Sequence, residues 1–265
     1  MKLTIIGCSG SMSGKDSPAS AYLVQARGVD RKGLSRTFSL ILDFGPGAMG
    51  HLLRYADPAM VDAMILSHLH ADHCVDIVGM QVFRRWYPEG ALPRIPVFSP
   101  GDGIDRTRKI ADDSLDEDYA GEFDFQRVGP GDKVTLGPFT IEFFEAWHTI
   151  ESLSVRITGP SEDPHKGDVV LCYTGDTDYT PTVVQAAKGA DVLLSEAAFE
   201  EKRDMAEGIH LTGKRAGQLA ADAGAKRLLL THLQPWTNPN TNVNDARSVY
   251  HGPVECVEAG NVYEF

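Results

Sequence analysis

An α/β fold is what this sequence predicts, and three observations predict it. Strand-like and helix-like segments alternate along the whole chain, bounded by Gly, Ser, Pro and Asp. The 265 residues are 42% apolar and 23% charged, an ordinary globular balance that excludes disorder, collagen and coiled coil as whole-chain readings. No Ser/Gly-rich linker divides the sequence, so residues 1–265 read as one domain.

The elements follow in order. Leu3–Gly7, Ala21–Gln25 and Phe38–Asp43 are apolar or β-branched runs and read as strands. Pro46–Asp57 reads as a helix because Pro sits near its first turn. Asp62–Ser67 is a short buried strand, Val75–Trp86 a helix, Ile95–Ser99 a strand and Gly103–Asp112 a helix. Asp112–Asp124 carries seven acidic residues and no basic one, the pattern of a solvated surface loop or helix end. Phe123–Val128, Lys133–Leu136, Phe139–Trp147, Ser152–Thr158 and Val169–Thr174 then run as consecutive strands, broken by Gly129-Pro130-Gly131 and Gly137-Pro138. Alternation resumes with helix Pro181–Lys188, strand Val192–Ser195, helix Thr212–Ala223 and strand Arg227–Thr231. A helix at Val243–Tyr250 and strands at Val254–Val257 and Asn261–Glu264 close the chain.

Charge and cysteine usage narrow the function. The net charge of −12 presents long nucleic acids with a mostly repulsive surface and points to a small substrate. The four cysteines, Cys8, Cys74, Cys172 and Cys256, have no CxxC spacing, so a reducing cytoplasm is the expected compartment. No apolar run reaches the roughly eighteen residues of a membrane helix, and Met1–Cys8 reads as a first strand rather than an export signal.

The strongest chemical signal is His68-Leu69-His70-Ala71-Asp72-His73, three imidazoles and a carboxylate directly after a buried strand. Residues two apart in extended chain point the same way, so His68 and His70 can grip one ion. If the chain then turns, Asp72 and His73 can face a second. Imidazole with carboxylate suits zinc, manganese or iron better than calcium or magnesium. Met64–Leu69 is echoed by Leu228–Leu233: in each, an apolar strand ends in a hydroxyl residue and then a histidine. That echo fits two related halves delivering ligands to a shared edge.

His-x-His-x-Asp-His after a strand resembles the metallo-β-lactamase fold hydrolases. Further stations of that family appear in order: Leu42-Asp43-Phe44-Gly45, Ala146-Trp147-His148, Tyr173-Thr174-Gly175-Asp176-Thr177 and Leu230-Thr231-His232. Alone, His148, Asp176 or His232 would read as an ordinary polar residue at a strand end, and Asp43 as a helix cap; the ordered set carries the resemblance. It implies a four-layer αββα sandwich, two mixed sheets with external helices. It also implies two divalent ions, zinc first, with manganese or iron tolerated. His68, His70 and His148 would hold the first ion, Asp72, His73 and His232 the second, and Asp176 would bridge them with a water. Asp43 would support the metal loop. Two such ions, about 3.5–4 Å apart, acidify the water that attacks a phosphodiester, lactone, amide or thioester.

Gly208-Ile209-His210-Leu211-Thr212 and Leu193-Leu194-Ser195-Glu196-Ala197 resemble the phosphodiesterase branch of the fold, in which the histidine stands beside the leaving oxygen and the acid orients it. His210, steered by Glu196, would be the general acid. Within that branch, Ser17-Pro18-Ala19-Ser20, His-Ala-Asp-His-Cys and Thr-His-Leu-Gln-Pro-Trp are similar to compact bacterial cyclic-AMP phosphodiesterases. The expectation is therefore a hydrolase of 3′,5′-cyclic nucleotides, cyclic AMP first, and by resemblance a homodimer. Two alternatives stand beside it. One is a ribonuclease Z-type transfer-RNA 3′ endonuclease; against it, residues 149–175 leave little room for an RNA-gripping arm. The other is a metal-free scaffold; against it, all seven ligand positions are retained. Cys74 reads as a small buried thiol. The backbone N–H groups of the loop Gly7–Gly14 could cradle a phosphate, although a plain turn is an equal reading.

Overall fold

A computed structural model describes residues 1–265. It contains two mixed sheets of seven strands each. The first has the order β14-β1-β2-β3-β4-β5-β6, with β1 Lys2–Gly7, β2 Ala21–Val29, β3 Ser35–Phe44, β4 Ala63–Ile65, β5 Ile95–Ser99, β6 Phe123–Arg127 and β14 Val262–Glu264. The second has the order β13-β12-β11-β10-β9-β8-β7, with β7 Lys133–Leu136, β8 Phe139–Glu145, β9 Leu153–Pro160, β10 Asp168–Tyr173, β11 Val192–Glu196, β12 Leu228–Thr231 and β13 Val254–Cys256.

The period-2 alternation of the strands builds three apolar layers. Between the sheets, Leu3, Tyr22, Val24 and Leu40 meet Phe139, Val155, Leu171 and Leu194. On the outer face of the first sheet, Ala21, Leu23 and Ile41 pack with Leu52, Ile77 and Met80. These come from helices α1 Ala48–Leu52 and α3 Ile77–Arg85, which flank the one-turn α2 Ala71–Cys74; α4 Gly103–Ala111 follows β5. On the outer face of the second sheet, Cys172, Leu193 and Leu230 pack under α5 Pro181–Ala187, α6 Gly213–Ala223 and α7 Pro239–Arg247. Each fully buried leucine or phenylalanine contributes roughly 1.5–3 kcal/mol, so this patterning alone drives the layered packing.

Four details depart from the sequence reading. The helix expected over Pro46–Asp57 is only Ala48–Leu52, because Gly47 enters it at φ 87° and Pro58–Met60 forms a separate 3-10 turn. The last helix starts at Pro239 rather than Val243: the Asn238 side chain caps Asn240 N–H, and Pro239 occupies the first helical position, where its missing N–H is harmless. The acidic stretch ends α4 and runs along the surface as read, but Glu117 and Glu122 both clamp Arg85, at 2.9 Å each. The Gly7–Gly14 loop is tied to Ser17, Pro18 and Leu233. Four of its N–H groups, at Cys8, Ser9, Gly10 and Gly14, go to Ser17 Oγ, Pro18 O, Leu233 O and Ser17 O, so these four are spent on the turn rather than on a phosphate.

Strand direction decides where chemistry can gather. β3 and β4 are parallel, as are β10, β11 and β12, while β9 runs antiparallel between β8 and β10. The carboxyl ends of β8, β10, β11 and β12 therefore share one edge of the second sheet, the edge at which open α/β sheets collect ligands. No helix is long and apolar enough to cross a membrane, and all four cysteines are free.

Candidate metal centre

Most candidates lie at or just past a strand end, with Asp72 and His73 on α2 and His210 in the connection before α6. Asp43 closes β3, His68 and His70 follow β4, His148 lies in the β8–β9 connection, Asp176 follows β10, Glu196 ends β11 and His232 follows β12. The turn expected after His70 is α2: extended at His70, the chain enters one helical turn that carries Asp72 and His73 toward Asp176. A Cβ at Gly45 would come within 1.9 Å of the Asp72 carbonyl oxygen, so only glycine lets the β3 end pass beneath this turn.

The donor atoms fall into two groups. His70 Nδ1 lies 3.0 Å from His68 Nε2 and 3.1 Å from His148 Nε2. Nitrogens bound to one tetrahedral ion at 2.0–2.1 Å stand about 3.3 Å apart, so three imidazoles already bunched this closely fit a single cation. In the second group, Asp176 Oδ2 lies 3.2 Å from His73 Nε2 and 3.3 Å from His232 Nε2, and Asp72 Oδ2 lies 3.4 Å from His73 Nε2. Asp176 Oδ2 also lies 3.7 Å from His68 Nε2, which puts this carboxylate between the groups. His68 and His232, the two members of the internal echo, thus reach the same aspartate from different sheets.

Outer contacts aim these lone pairs inward. His148 Nδ1–H donates to Ile209 O at 2.7 Å, leaving Nε2 bare toward His70. His73 Nδ1–H donates to Asp43 Oδ2 at 2.7 Å, and His232 Nδ1 pairs with Ser20 Oγ at 2.8 Å. The inward atoms His73 Nε2, His232 Nε2 and Asp176 Oδ1 are buried and have no hydrogen-bond partner. A buried polar atom without a partner costs about 1–3 kcal/mol; three of them in one His/Asp cluster fit a place for cations. The charge balance agrees. Burial pushes His68 down, and the neighbouring His73 pushes it further, so it is neutral as a ligand must be. Burial opposes a charge on His73, yet Asp176 and Asp43 hold it well above the usual histidine range. The carboxylates of Asp43 and Asp176, 2.7 and 3.2 Å from this imidazole, give the cluster negative charge that a cation would balance.

Asp43 organises the cluster without belonging to it. Fully buried, its Oδ1 accepts from Ser67 N–H at 2.6 Å, and its Oδ2 accepts from Ser67 Oγ at 2.8 Å, Tyr173 Oη at 2.6 Å and His73. Asp43 and His232 are both non-glycine residues in the left-handed region, at φ 54° and 58°, a strain of order 1–3 kcal/mol each that concentrates at functional sites. Asp43→Asn is expected to weaken metal affinity about 10–100-fold, as lost outer-shell partners do, with a lowered Tm. Chelator competition and a melting curve check both, and unchanged affinity would show that Asp43 serves packing alone.

On the far side of Asp176, His210 Nδ1 lies 2.9 Å from Glu196 Oε1. Glu196 is fully buried and also accepts the N–H of Thr177 at 3.0 Å and of Ala198 at 3.0 Å. Burial would lower His210, but Glu196 and Asp176 overcome it and raise the imidazole to about 9. All nine candidates therefore meet at one edge. Sequence reasoning missed Tyr173 and Ser67 on Asp43 and gave Ser20 no role, although Ser20 stood inside the Ser17–Ser20 pattern. Cys74 is buried as read, donating to His70 O at 3.1 Å.

Comparison with known proteins decides the family, because a β-lactamase superfamily domain matches residues 39–233, the span from β3 to just past His232. The chain belongs to the β-lactamase superfamily. An uncharacterized protein of Mycobacterium tuberculosis is 38% identical over 100% of this chain and 92% of its own. The probable metallo-hydrolase YhfI of Bacillus subtilis is 30% identical over 100% of both chains, and its crystal structure superposes with a TM-score of 0.84, covering 100% of this chain and 99% of that one, at 28% identity. A ribonuclease Z of Myxococcus xanthus is 27% identical over 85% of this chain and 88% of its own. The two seven-stranded sheets with outer helices are the metallo-β-lactamase fold, and the His/Asp cluster is able to bind metal ions. The chain is a metal-dependent hydrolase of this superfamily.

Proposed function

We propose that this hydrolase opens 3′,5′-cyclic nucleotides, cyclic AMP first, to 5′-monophosphates. The observation that carries the reading is the buried Glu196–His210 pair, 2.9 Å apart, with His210 Nδ1 3.9 Å from Asp176 Oδ2: a histidine poised to give up a proton stands against the metal-ligand cluster. His68, His70 and His148 would hold one divalent ion and Asp72, His73 and His232 another, with Asp176 between them; zinc suits the donors, and manganese or iron is compatible. Bound there, two such ions supply an acidified water and neutralise charge gathering on the phosphate. Glu196 accepts from His210 Nδ1–H, which directs Nε2 outward. His210 Nε2–H protonates the 3′ oxygen as its bond to phosphorus breaks and the water oxygen's bond forms. A ribose alkoxide is a poor leaving group, so a proton delivered there is worth having.

Ribonuclease Z relatives make transfer-RNA processing the second reading. It is disfavoured by the short connection 161–167 between β9 and β10, which leaves no arm to grip RNA, and by the net charge of −12. The unpartnered inward donors weigh against a metal-free scaffold. The reading keeps a small-molecule nucleotide as substrate, the cytoplasm as compartment, no membrane or nucleic-acid partner, and a homodimer.

The test is an assay of the zinc- or manganese-loaded protein on cyclic AMP, cyclic GMP, a 3′-extended transfer-RNA precursor, bis(p-nitrophenyl) phosphate and a lactone. Cyclic AMP turnover to 5′-AMP is expected. Precursor processing without cyclic-nucleotide turnover would move the assignment to ribonuclease Z, and 3′-AMP as product would reverse the bond assigned to break.

A further inference from the structure

Beside the metal-ligand cluster, between the β8–β9 connection and the β6–β7 turn, lies a cavity of about 610 Å³. His148 lines it, so it shares a wall with the first group of donors. Trp147, Ile150, Val128, Leu153, Pro130 and Pro100 are among its apolar lining. A volume of this size is typical of small-molecule sites.

Trp147 is the notable member. It is a large aromatic left 48% exposed, yet its position is tightly set. Its N–H donates to Thr177 Oγ1 at 3.0 Å and its carbonyl accepts from Asp178 N–H at 2.8 Å, which ties it to the turn bearing Asp176. The Nε1 edge of the indole rests on Gly208, where a Cβ would come within 2.6 Å of Nε1. Gly208, at φ 71°, is in turn held through its N–H by Asp178 Oδ2 at 2.8 Å, two residues before His210. The backbone of Trp147 is thus held to the turn of Asp176, while its indole lines the cavity and rests its Nε1 edge on the loop of His210.

Charge says what the indole suits. Arg127 is the cavity's basic side chain, and Glu151 pairs with it at 3.0 Å; Asp132 and Glu145 line the cavity as well. A polynucleotide backbone needs unpaired cations, and this lining is net acidic. A flat uncharged heterocycle needs only an aromatic face and apolar walls, and stacks whatever its sequence identity. We propose that this cavity seats the planar base of the substrate against Trp147 while its phosphate lies at the metal ligands. The assignment rests on the nucleotide reading above and names the part of the site that recognises the nucleoside.

The experiment separates the two. Adenosine, which has the base and no phosphate, is titrated into the metal-loaded protein, and turnover of cyclic AMP is compared with that of methyl riboside 3′,5′-cyclic phosphate, which has the phosphate and no base. Base stacking on an aromatic is worth enough that Trp147→Ala should weaken adenosine binding about tenfold or more, and cut the preference for cyclic AMP over the base-free compound by a similar factor. Trp147→Phe should restore most of both. Ile150→Glu, placing a charge in the cavity while leaving the indole, gives the same adenosine readout should Trp147→Ala not fold. Adenosine affinity and substrate preference unchanged in Trp147→Ala would overturn the base site. Adenosine binding that depends on Trp147, with no turnover of either cyclic compound, would support the base site and overturn the phosphodiesterase reading instead.

Discussion

Asp72→Ala is expected to cost on the order of 10³-fold in kcat while leaving the protein soluble and folded. Asp72 is the partly exposed member of the second donor group, its side chain 18% exposed, so its removal opens no sealed cavity. Its carboxylate is nevertheless strongly committed to the charged form: burial opposes ionisation, but the hydrogen bond and charge of His73 and the charge of His232 hold it far below the usual aspartate range. Losing it leaves His73, His232 and Asp176 as the donors of that group and removes one of its two carboxylates, so an ion there would be held more weakly. The transition-state charge that a second ion neutralises is worth several kcal/mol, and each 1.36 kcal/mol is tenfold in rate. His73→Ala should act the same way at a higher structural cost, because His73 is wholly buried between Asp43 and Asp176. Elemental analysis beside the rate is the check. A variant that binds one ion per chain and turns over normally would rule out a two-ion mechanism, and one that keeps both ions yet loses activity would make Asp72 a proton-handling group rather than a ligand.

The reach of sequence reasoning is visible in which of these residues it could and could not find. His68 to His73 were legible because ligand spacing is local: two residues apart in extended chain, then one helical turn, is readable without a fold. His148, Asp176 and His232 needed the ordered set of motifs, since each is a lone polar residue at a strand end until the sheets bring the ends together. The strands were legible because β1, β2 and β3 alternate between two buried faces, and β4 is apolar throughout as a parallel strand covered on both sides must be. Helix ends were less so. Asn238 and Pro239 carry a capping signature that resembles a turn until the helix is seen to begin there. Tyr173 could not have been assigned to Asp43: the two lie 130 positions apart, and Tyr173 in sequence is one more apolar strand residue. Nor could the clash of a Cβ at Gly208 with Trp147 be read from a Gly-Ile-His motif. The supporting contacts are long-range, and periodicity carries no information about them.

His210→Ala is expected to lower kcat by about 10²–10⁴-fold, the usual worth of a positioned general acid, with metal content close to that of the unaltered protein. Its Nδ1 faces Glu196, and although His210 also stands within reach of His148 and Asp176, the sets His68, His70, His148 and Asp72, His73, Asp176, His232 are complete without it, so two ions would keep those ligands. The substrate decides what the loss means. An alkoxide such as the ribose 3′ oxygen leaves badly unless protonated, whereas p-nitrophenolate leaves without help. The deficit should therefore be large on cyclic AMP and shrink on a p-nitrophenyl phosphodiester; equal deficits on both would make His210 a positioning residue. Glu196→Gln separates orientation from charge. It keeps a hydrogen-bonding group beside His210 but removes the negative charge that holds the imidazole up at about 9. A general acid works only while protonated, so kcat falls as pH rises through its pKa. Lowering that pKa should move the alkaline limb of the kcat profile to lower pH, with a modest loss at the plateau. A limb that stays in place when Glu196 is neutralised would assign that ionisation to another group, and with it the proton that leaves with the 3′ oxygen.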